Sequence, residues 1–309
     1  MKIALVQSVW QSDPRDNLQH VLDMIDQTCH NRSLDFICLA EFFLGPAWYM
    51  PGQAHLRGVT DTTLSGPVFE RLSEMAKKHH VHIVCGSVVE QMANGGYCNT
   101  SVLMDRNGVN IGHANKIHPF ANEAVSCQAG DKLDVHATEF GPIGIAVCSD
   151  FWIPESIRIL VLKGAGTIFL PGGSLRQNLA AMINAFHATA YLNVVNMVYC
   201  GPVGKITGMR GNQSITVEFA GTSLIATPQG LLAQAPADEA AVLEATLPMQ
   251  DILALRQASD ADDTWQGLAL RQPLAYADLK QDYVGLNRNL AEEIALRMRQ
   301  ITTSATAPR

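Results

Sequence analysis

Short apolar runs alternate with stretches of helical period along most of this chain. "KIALVQ" near the start reads as a buried strand, and it meets polar residues at once, so it is not a secretory leader. Asp13 and Pro14 then signal a helix start, with Leu18, Val21, Leu22, Ile25 and Cys29 on one face. "DFICLAE" (35–41) is a second strand, followed by a loop rich in Gly, Pro and aromatics (42–66) and a helix carrying Val68, Leu72, Met75 and Ala76. "VHIVCGSVVE" and "YCNTSVLMD" read as strands joined by the turn-prone "ANGG", and Asn107-Gly108 signals a further hairpin. The second half repeats the theme. "IGIAVC" is a strand, Pro154 opens a helix that Gly164 closes, "TIFLPGG" is a strand, and 177–191 is helical. "VVNMVYC", "FAGTSLIAT" and "AVLEATLP" are further strands, and Leu290, Ile294 and Met298 mark a terminal amphipathic helix before a polar tail. No linker or low-complexity tract divides the chain, so one domain over 1–285 is expected, with the helix and a disordered tail over 286–309.

A chain of 309 residues, 47% apolar and 17% charged, can bury a full core and has the profile of a soluble α/β protein. A net charge of −7 argues against a nucleic-acid partner. No run of apolar residues is long enough to span a membrane. Seven cysteines without a CxxC pair fit free thiols in a reducing compartment, and a cytoplasmic location is expected.

Three strand ends carry reactive side chains. Glu41 closes "DFICLAE", Lys116 stands in "IGHANKIHP", and Cys148 closes "IGIAVC" ahead of "SDFWIPE". Taken singly, each has a plain reading: a charge escaping to solvent, a solvated lysine, a core cysteine.

Taken together, "LAE", "KIH" and "CSDFWIPE" in that order resemble the carbon–nitrogen hydrolase (nitrilase) superfamily. The resemblance extends over "MKIALVQ", "KGAGTIFLPGGS" and "FAGTSLIATPQGLLA", covering roughly residues 1 to 255. It implies an α-β-β-α sandwich of two mixed sheets with helices outside, and a homodimer or larger assembly. It implies Glu41, Lys116 and Cys148 as a catalytic triad. Glu123, seven positions before Gly130, is implied as a fourth catalytic residue. No metal or organic cofactor is implied.

Such chemistry asks for three aids, because an amide is a poor electrophile and a free thiol is mostly protonated at neutral pH. Glu41 would act as base and then acid, and Lys116 would sit where charge develops on the carbonyl oxygen. The backbone N–H of Ser149 would be a second donor, and helix N–H groups beyond Cys148 are expected to favour its thiolate. Glu123 would position Lys116 and the substrate amide or attacking water. Trp48, Tyr49 and Trp152 are candidate substrate contacts, and Gly172 and Gly173 in "LPGGS" a candidate wall. Asp150 is expected to bond turn N–H groups, and Glu155 to complement a helix dipole. Cys127 reads as an accessible loop thiol.

"KKHHVH" offers three histidines with no partner at metal-ligand spacing, so a metal site is not expected. The sequence departs from the family pattern at Asn184, His187 and Ala188, where many members carry Arg, Glu and Asn. Trp152, where many carry Arg, resembles the subgroup that hydrolyses N-carbamoyl amines. The expected activity is ammonia release from a small amide or N-carbamoyl compound. Nitrile hydrolysis by the same triad, acyl transfer to an amine, and a non-catalytic binding role on the same fold stay open.

Overall fold

The first strand, β1 (Lys2–Gln7), buries every side chain but Lys2, and it runs parallel to β2 (Phe36–Leu39), which is buried throughout. A strand enclosed on both faces explains why both runs are apolar without alternation. The structure is a computed structural model and describes residues 1–45, 63–120, 123–210, 213–257, 268 and 270–280. Between these strands runs α1 (Pro14–Cys29), whose Asp13 cap accepts a hydrogen bond from the Arg15 N–H at 2.8 Å. Its buried side carries Leu18, Val21, Leu22, Ile25 and Cys29, the predicted face. The next helix, α2 (Pro67–His79), starts on Pro67 and ends on a left-handed His80, burying Val68, Leu72 and Ala76.

The first sheet continues through β3 (His82–Val84), β4 (Val88–Gln91), β5 (Tyr97–Met104) and β6 (Asn110–Asn115), in the order β15-β1-β2-β3-β5-β4 with β6 also paired to β5. Its edge strand β15 is Ala241–Thr246. The run "VHIVCGSVVE" is thus two strands rather than one. Gly86 breaks it with φ +49°, because a Cβ there would stand 2.1 Å from the Ala40 carbonyl oxygen.

A one-turn helix α3 (Glu123–Ser126) leads to the second sheet. That sheet has the order β14-β13-β10-β9-β8-β7, from β7 (Val135–His136), β8 (Ile143–Ile145), β9 (Thr167–Pro171), β10 (Asn196–Cys200), β13 (Leu224–Thr227) and β14 (Gly230–Gln234). Two helices, α4 (Pro154–Leu162) and α5 (Leu179–Asn193), cover its outer face through Ile157, Leu160, Met182, Phe186 and Ala190. A separate hairpin, β11 (Val203–Arg210) with β12 (Gln213–Ala220), has no counterpart in the sequence expectations. It also shortens "FAGTSLIAT", whose chain turns at Gly221 and Thr222 before β13 begins.

Three apolar clusters make the layers. Helices α1 and α2 pack on the first sheet, α4 and α5 on the second, and Ile3, Leu5, Phe36, Val84, Leu103, Ile145, Phe169, Val198 and Ile225 fill the space between sheets. Phe36 from one sheet stacks on Phe169 of the other at 5.4 Å between ring centroids. The architecture is the expected α-β-β-α sandwich. At about 1.5–3 kcal/mol per large apolar side chain, the middle layer is a principal source of stability.

Candidate active site

Both sheets deliver side chains to one place. Glu41 stands two residues beyond β2, held by the turn that follows it, where Phe42 is left-handed at φ +50° and its N–H donates to Ser87 Oγ at 3.2 Å. Lys116 is the residue after β6. Its N–H donates to the Asn99 carbonyl at 2.9 Å and its carbonyl accepts from Gly130 at 2.8 Å, which locks the backbone on both sides. Cys148 follows β8 and opens a 3-10 turn, Cys148–Trp152, with its own φ at +48°. A left-handed non-glycine residue is strained, and here it faces the sulfur toward the other sheet's groups. Gly172 and Gly173 follow β9, the parallel neighbour of β8.

The side chains then interlock. Lys116 Nζ donates to Glu41 Oε1 at 2.8 Å and to Glu123 Oε2 at 2.6 Å. The Phe120 N–H also donates to Glu123 Oε2, at 2.9 Å. The Cys148 thiol lies near enough to the Glu41 carboxylate and the Gly173 N–H for both to act on its ionisation. Lys116 and Glu41 are 2% and 4% exposed, and Glu123 is wholly buried, not a surface loop carboxylate. Cys148 is the one partly accessible thiol of the seven, and all seven are free.

These surroundings set the protonation states. Burial alone would depress the Lys116 ammonium, but Glu41, Cys148 and Glu123 outweigh it and hold its pKa above the ordinary value. Burial pushes the Glu123 carboxyl up, with Lys116 opposing and the Glu41 charge adding. Burial and then the Glu41 charge push the Cys148 thiol up, against Lys116 and the Gly173 N–H. The expected thiolate is therefore corrected. Burial beside a carboxylate opposes the thiolate that the helix N–H groups were expected to favour.

Asp150 ties the two sheets' contributions together. Its Oδ1 accepts from the Ile117 N–H at 3.1 Å, the His118 N–H at 2.9 Å and His118 Nδ1 at 2.8 Å, while Oδ2 accepts from the Val147 N–H at 3.1 Å. Only the last is the turn bond that the sequence suggested. Ser149 adds a bond from Oγ to the His118 carbonyl at 2.5 Å.

Glycine is required at the wall. A Cβ on Gly172 would stand 2.7 Å from Tyr199 Cε2, and one on Gly173 would meet Glu41 Oε2 and Phe219 Cε1, each at 3.3 Å. The Trp10 ring packs edge-on against Phe219 at 4.5 Å, so an aromatic pair stands behind Gly173. Sequence reasoning missed that pair. It missed Asn99 too, whose Nδ2 donates to Glu41 Oε1 at 2.9 Å and to Glu123 Oε1 at 2.7 Å. The available signal was a polar residue at an inward position of β5, two alternations before Leu103.

The carbon–nitrogen hydrolase family model matches residues 2–257. The chain belongs to the carbon–nitrogen hydrolase family. Among its relatives, N-carbamoylputrescine amidase of Solanum tuberosum is 29% identical over 82% of this chain and 88% of that one. N-carbamoylputrescine amidase of Arabidopsis thaliana is 30% identical over 74% of this chain and 80% of that one. The crystal structure of a carbon–nitrogen hydrolase from Helicobacter pylori G27 has the same fold, with a TM-score of 0.82 at 21% identity over 92% of this chain and 99% of that one. This carbon–nitrogen hydrolase is an enzyme of the amidase and nitrilase type.

The remaining expectations for the hydrolase fall as follows. Trp48, Tyr49 and the terminal helix and tail lie outside the described residues. Trp152 is 45% exposed with its ring against Phe151, and Glu155 lies in the first turn of α4. Cys127 is not accessible: it is buried beside Glu123, and burial pushes its thiol up to about 12. Asn184, His187 and Ala188 are exposed on α5, so the departure from the family pattern alters that helix's surface. Among the described residues no His, Cys, Asp and Glu group could hold a metal, and no helix is long and apolar enough to cross a membrane. His79 instead pairs with Asp26 and His82 stacks on Phe36.

Proposed function

We propose that the enzyme hydrolyses the terminal C–N bond of an N-carbamoyl amine or small amide through a thioester on Cys148. One observation carries the reading: Lys116 Nζ donates to Glu41 Oε1 at 2.8 Å, and the charges of both act on the Cys148 thiol. The relatives named N-carbamoylputrescine amidase support the N-carbamoyl class.

Sulfur attacks the carbonyl carbon as Glu41 takes the thiol proton, and negative charge collects on the carbonyl oxygen beside Lys116. Glu41 then gives its proton to the leaving nitrogen, the C–N bond breaks, and ammonia departs. Water attacks the thioester while Glu41 takes a proton from it, the C–S bond breaks, and that proton returns to the sulfur. From an N-carbamoyl amine the acid product is a carbamate, which loses carbon dioxide to leave the free amine. Glu123 accepts three hydrogen bonds from Lys116, Asn99 and Phe120, so its role is to hold the cation rather than to exchange protons.

Seven unpaired thiols support a reducing compartment, the cytoplasm. Ile159, Leu162 and Leu192 stand exposed on the outer helices, which supports association between copies, and light scattering after gel filtration would read the mass. The chemical test is ammonia release from N-carbamoylputrescine, small amides and nitriles. Release from the N-carbamoyl compound or an amide, lost in Cys148→Ala, is expected. Release from nitriles alone, or release that survives Cys148→Ala, overturns the reading.

A further inference from the structure

Asn99 is buried in β5 and carries a single amide that reaches two carboxylates, Glu41 Oε1 at 2.9 Å and Glu123 Oε1 at 2.7 Å. Its own Oδ1 is buried without a hydrogen-bond partner. The reverse orientation of the amide would aim that oxygen at both carboxylates, so the orientation is set by the two acids. An orphaned acceptor is unfavourable, and here it accompanies two bonds from the same amide to carboxylates.

The distribution of donors over Glu41 is uneven. Asn99 Nδ2 and Lys116 Nζ converge on Oε1, while Oε2 lies on the Gly173 side, 3.3 Å from where a Cβ on that glycine would stand. A Cβ on the preceding Gly172 would stand 3.6 Å from Cys148 Cα, so Oε2 lies on the cysteine's side of the site. We propose that Asn99 is a positioning residue: it couples the two carboxylates through one amide and fixes Glu41 by Oε1, so that Oε2 is reserved for the proton leaving Cys148.

The proposal rests on reading Cys148 and Glu41 as nucleophile and base, and the test separates the two claims without needing the substrate. Iodoacetamide alkylation of Cys148 is followed by intact mass from pH 5 to 9 in the wild type, Glu41→Gln, Asn99→Leu and the Cys148→Ala control. In Asn99→Leu the acid limb of the rate profile is expected to move up by about one pH unit, since donors to the charged form are lost. The plateau rate is expected to fall about tenfold through misorientation of Oε2. A role in packing alone would lower the melting temperature and leave the limb in place. An unchanged limb and plateau in Asn99→Leu, with Glu41→Gln altered, overturns the role of Asn99 alone. An unchanged Glu41→Gln overturns the pairing of base and nucleophile as well. Should Asn99→Leu lose its cooperative melt, Asn99→Ser keeps one donor in less volume. It is expected to show a smaller shift of the limb, and an unmoved limb overturns the proposal.

Discussion

Asp150 Oδ1 lies 2.9 Å from the backbone N–H of His118, two residues beyond Lys116, while its Oδ2 reaches the Val147 N–H, one residue before Cys148. A single buried carboxylate thereby spans the flanks of the cation and of the nucleophile. The distance between those two groups is set by this bridge as much as by either strand.

Replacing Asp150 by Ala strands four donors, one of them buried and three partly so. A loss of about 3 kcal/mol in stability is expected, read as a fall in the urea midpoint at unchanged slope. Activity should fall further than that loss explains when assayed well below the new midpoint, because both flanks are released.

Cys148 carries a left-handed backbone that glycine adopts freely. Cys148→Gly is expected to be more stable than Cys148→Ala by about 1 kcal/mol, although both lack the nucleophile. Equal melting curves for the two would show that the turn is not strained.

Lys116 has a folded pKa above its ordinary 10.5. Its contribution to stability is therefore complete below pH 10.5 and is lost as pH rises through the folded value. Lys116→Met should behave differently. Two buried carboxylates without their cation take up a proton on folding, so the variant gains stability as pH falls towards 5. At pH 7 the variant should be about 3–5 kcal/mol less stable than the wild type. Thermal unfolding between pH 5 and 10 checks the contrast: Lys116 gives the wild type no slope there, whereas the variant gains stability towards pH 5.

Gly86 allows the Ala40 carbonyl, one residue before Glu41, to approach the break between β3 and β4. Gly86→Ala is expected to cost at least about 2 kcal/mol, from its left-handed φ and the contact. It should also lower activity, since the strand end that presents Glu41 must move. Wild-type kinetics in a destabilised Gly86→Ala would separate the fold from the site.

Glu41 and Cys148 stand at the ends of apolar runs, but singly each had a plain reading; with Lys116 they were legible through the order of "LAE", "KIH" and "CSDFWIPE". The helices α1 and α4 were equally plain, both opened by Pro, α1 with a one-sided apolar face and α4 closed by Gly164. Asn99 was hidden inside "YCNTSVLMD", where alternation identifies an inward polar residue but not the acids that meet it. The reach of Asp150 to His118 spans 32 positions and belongs to tertiary packing, so the local turn was the only visible use for it. The upward push on the Cys148 thiol went unread for a related reason: helix N–H groups can be inferred from sequence, but burial beside Glu41 cannot. The hairpin β11–β12 was missed although "SITVEF" alternates Ile215, Val217 and Phe219 with polar residues, because its partner "GKITGMR" carries only Ile206 and Met209, three positions apart.

The stacking of Phe36 on Phe169 has a consequence for how this enzyme wears out. Glu41 and Lys116 belong to one sheet and Cys148 to the other, so the seam between sheets works as the hinge pin of the proposed chemistry. A small shear along that seam parts proton donor from acceptor while every strand keeps its ladder. On heating, turnover is therefore expected to fade before circular dichroism reports any loss of secondary structure. Trimming Phe169 should bring the two events further apart.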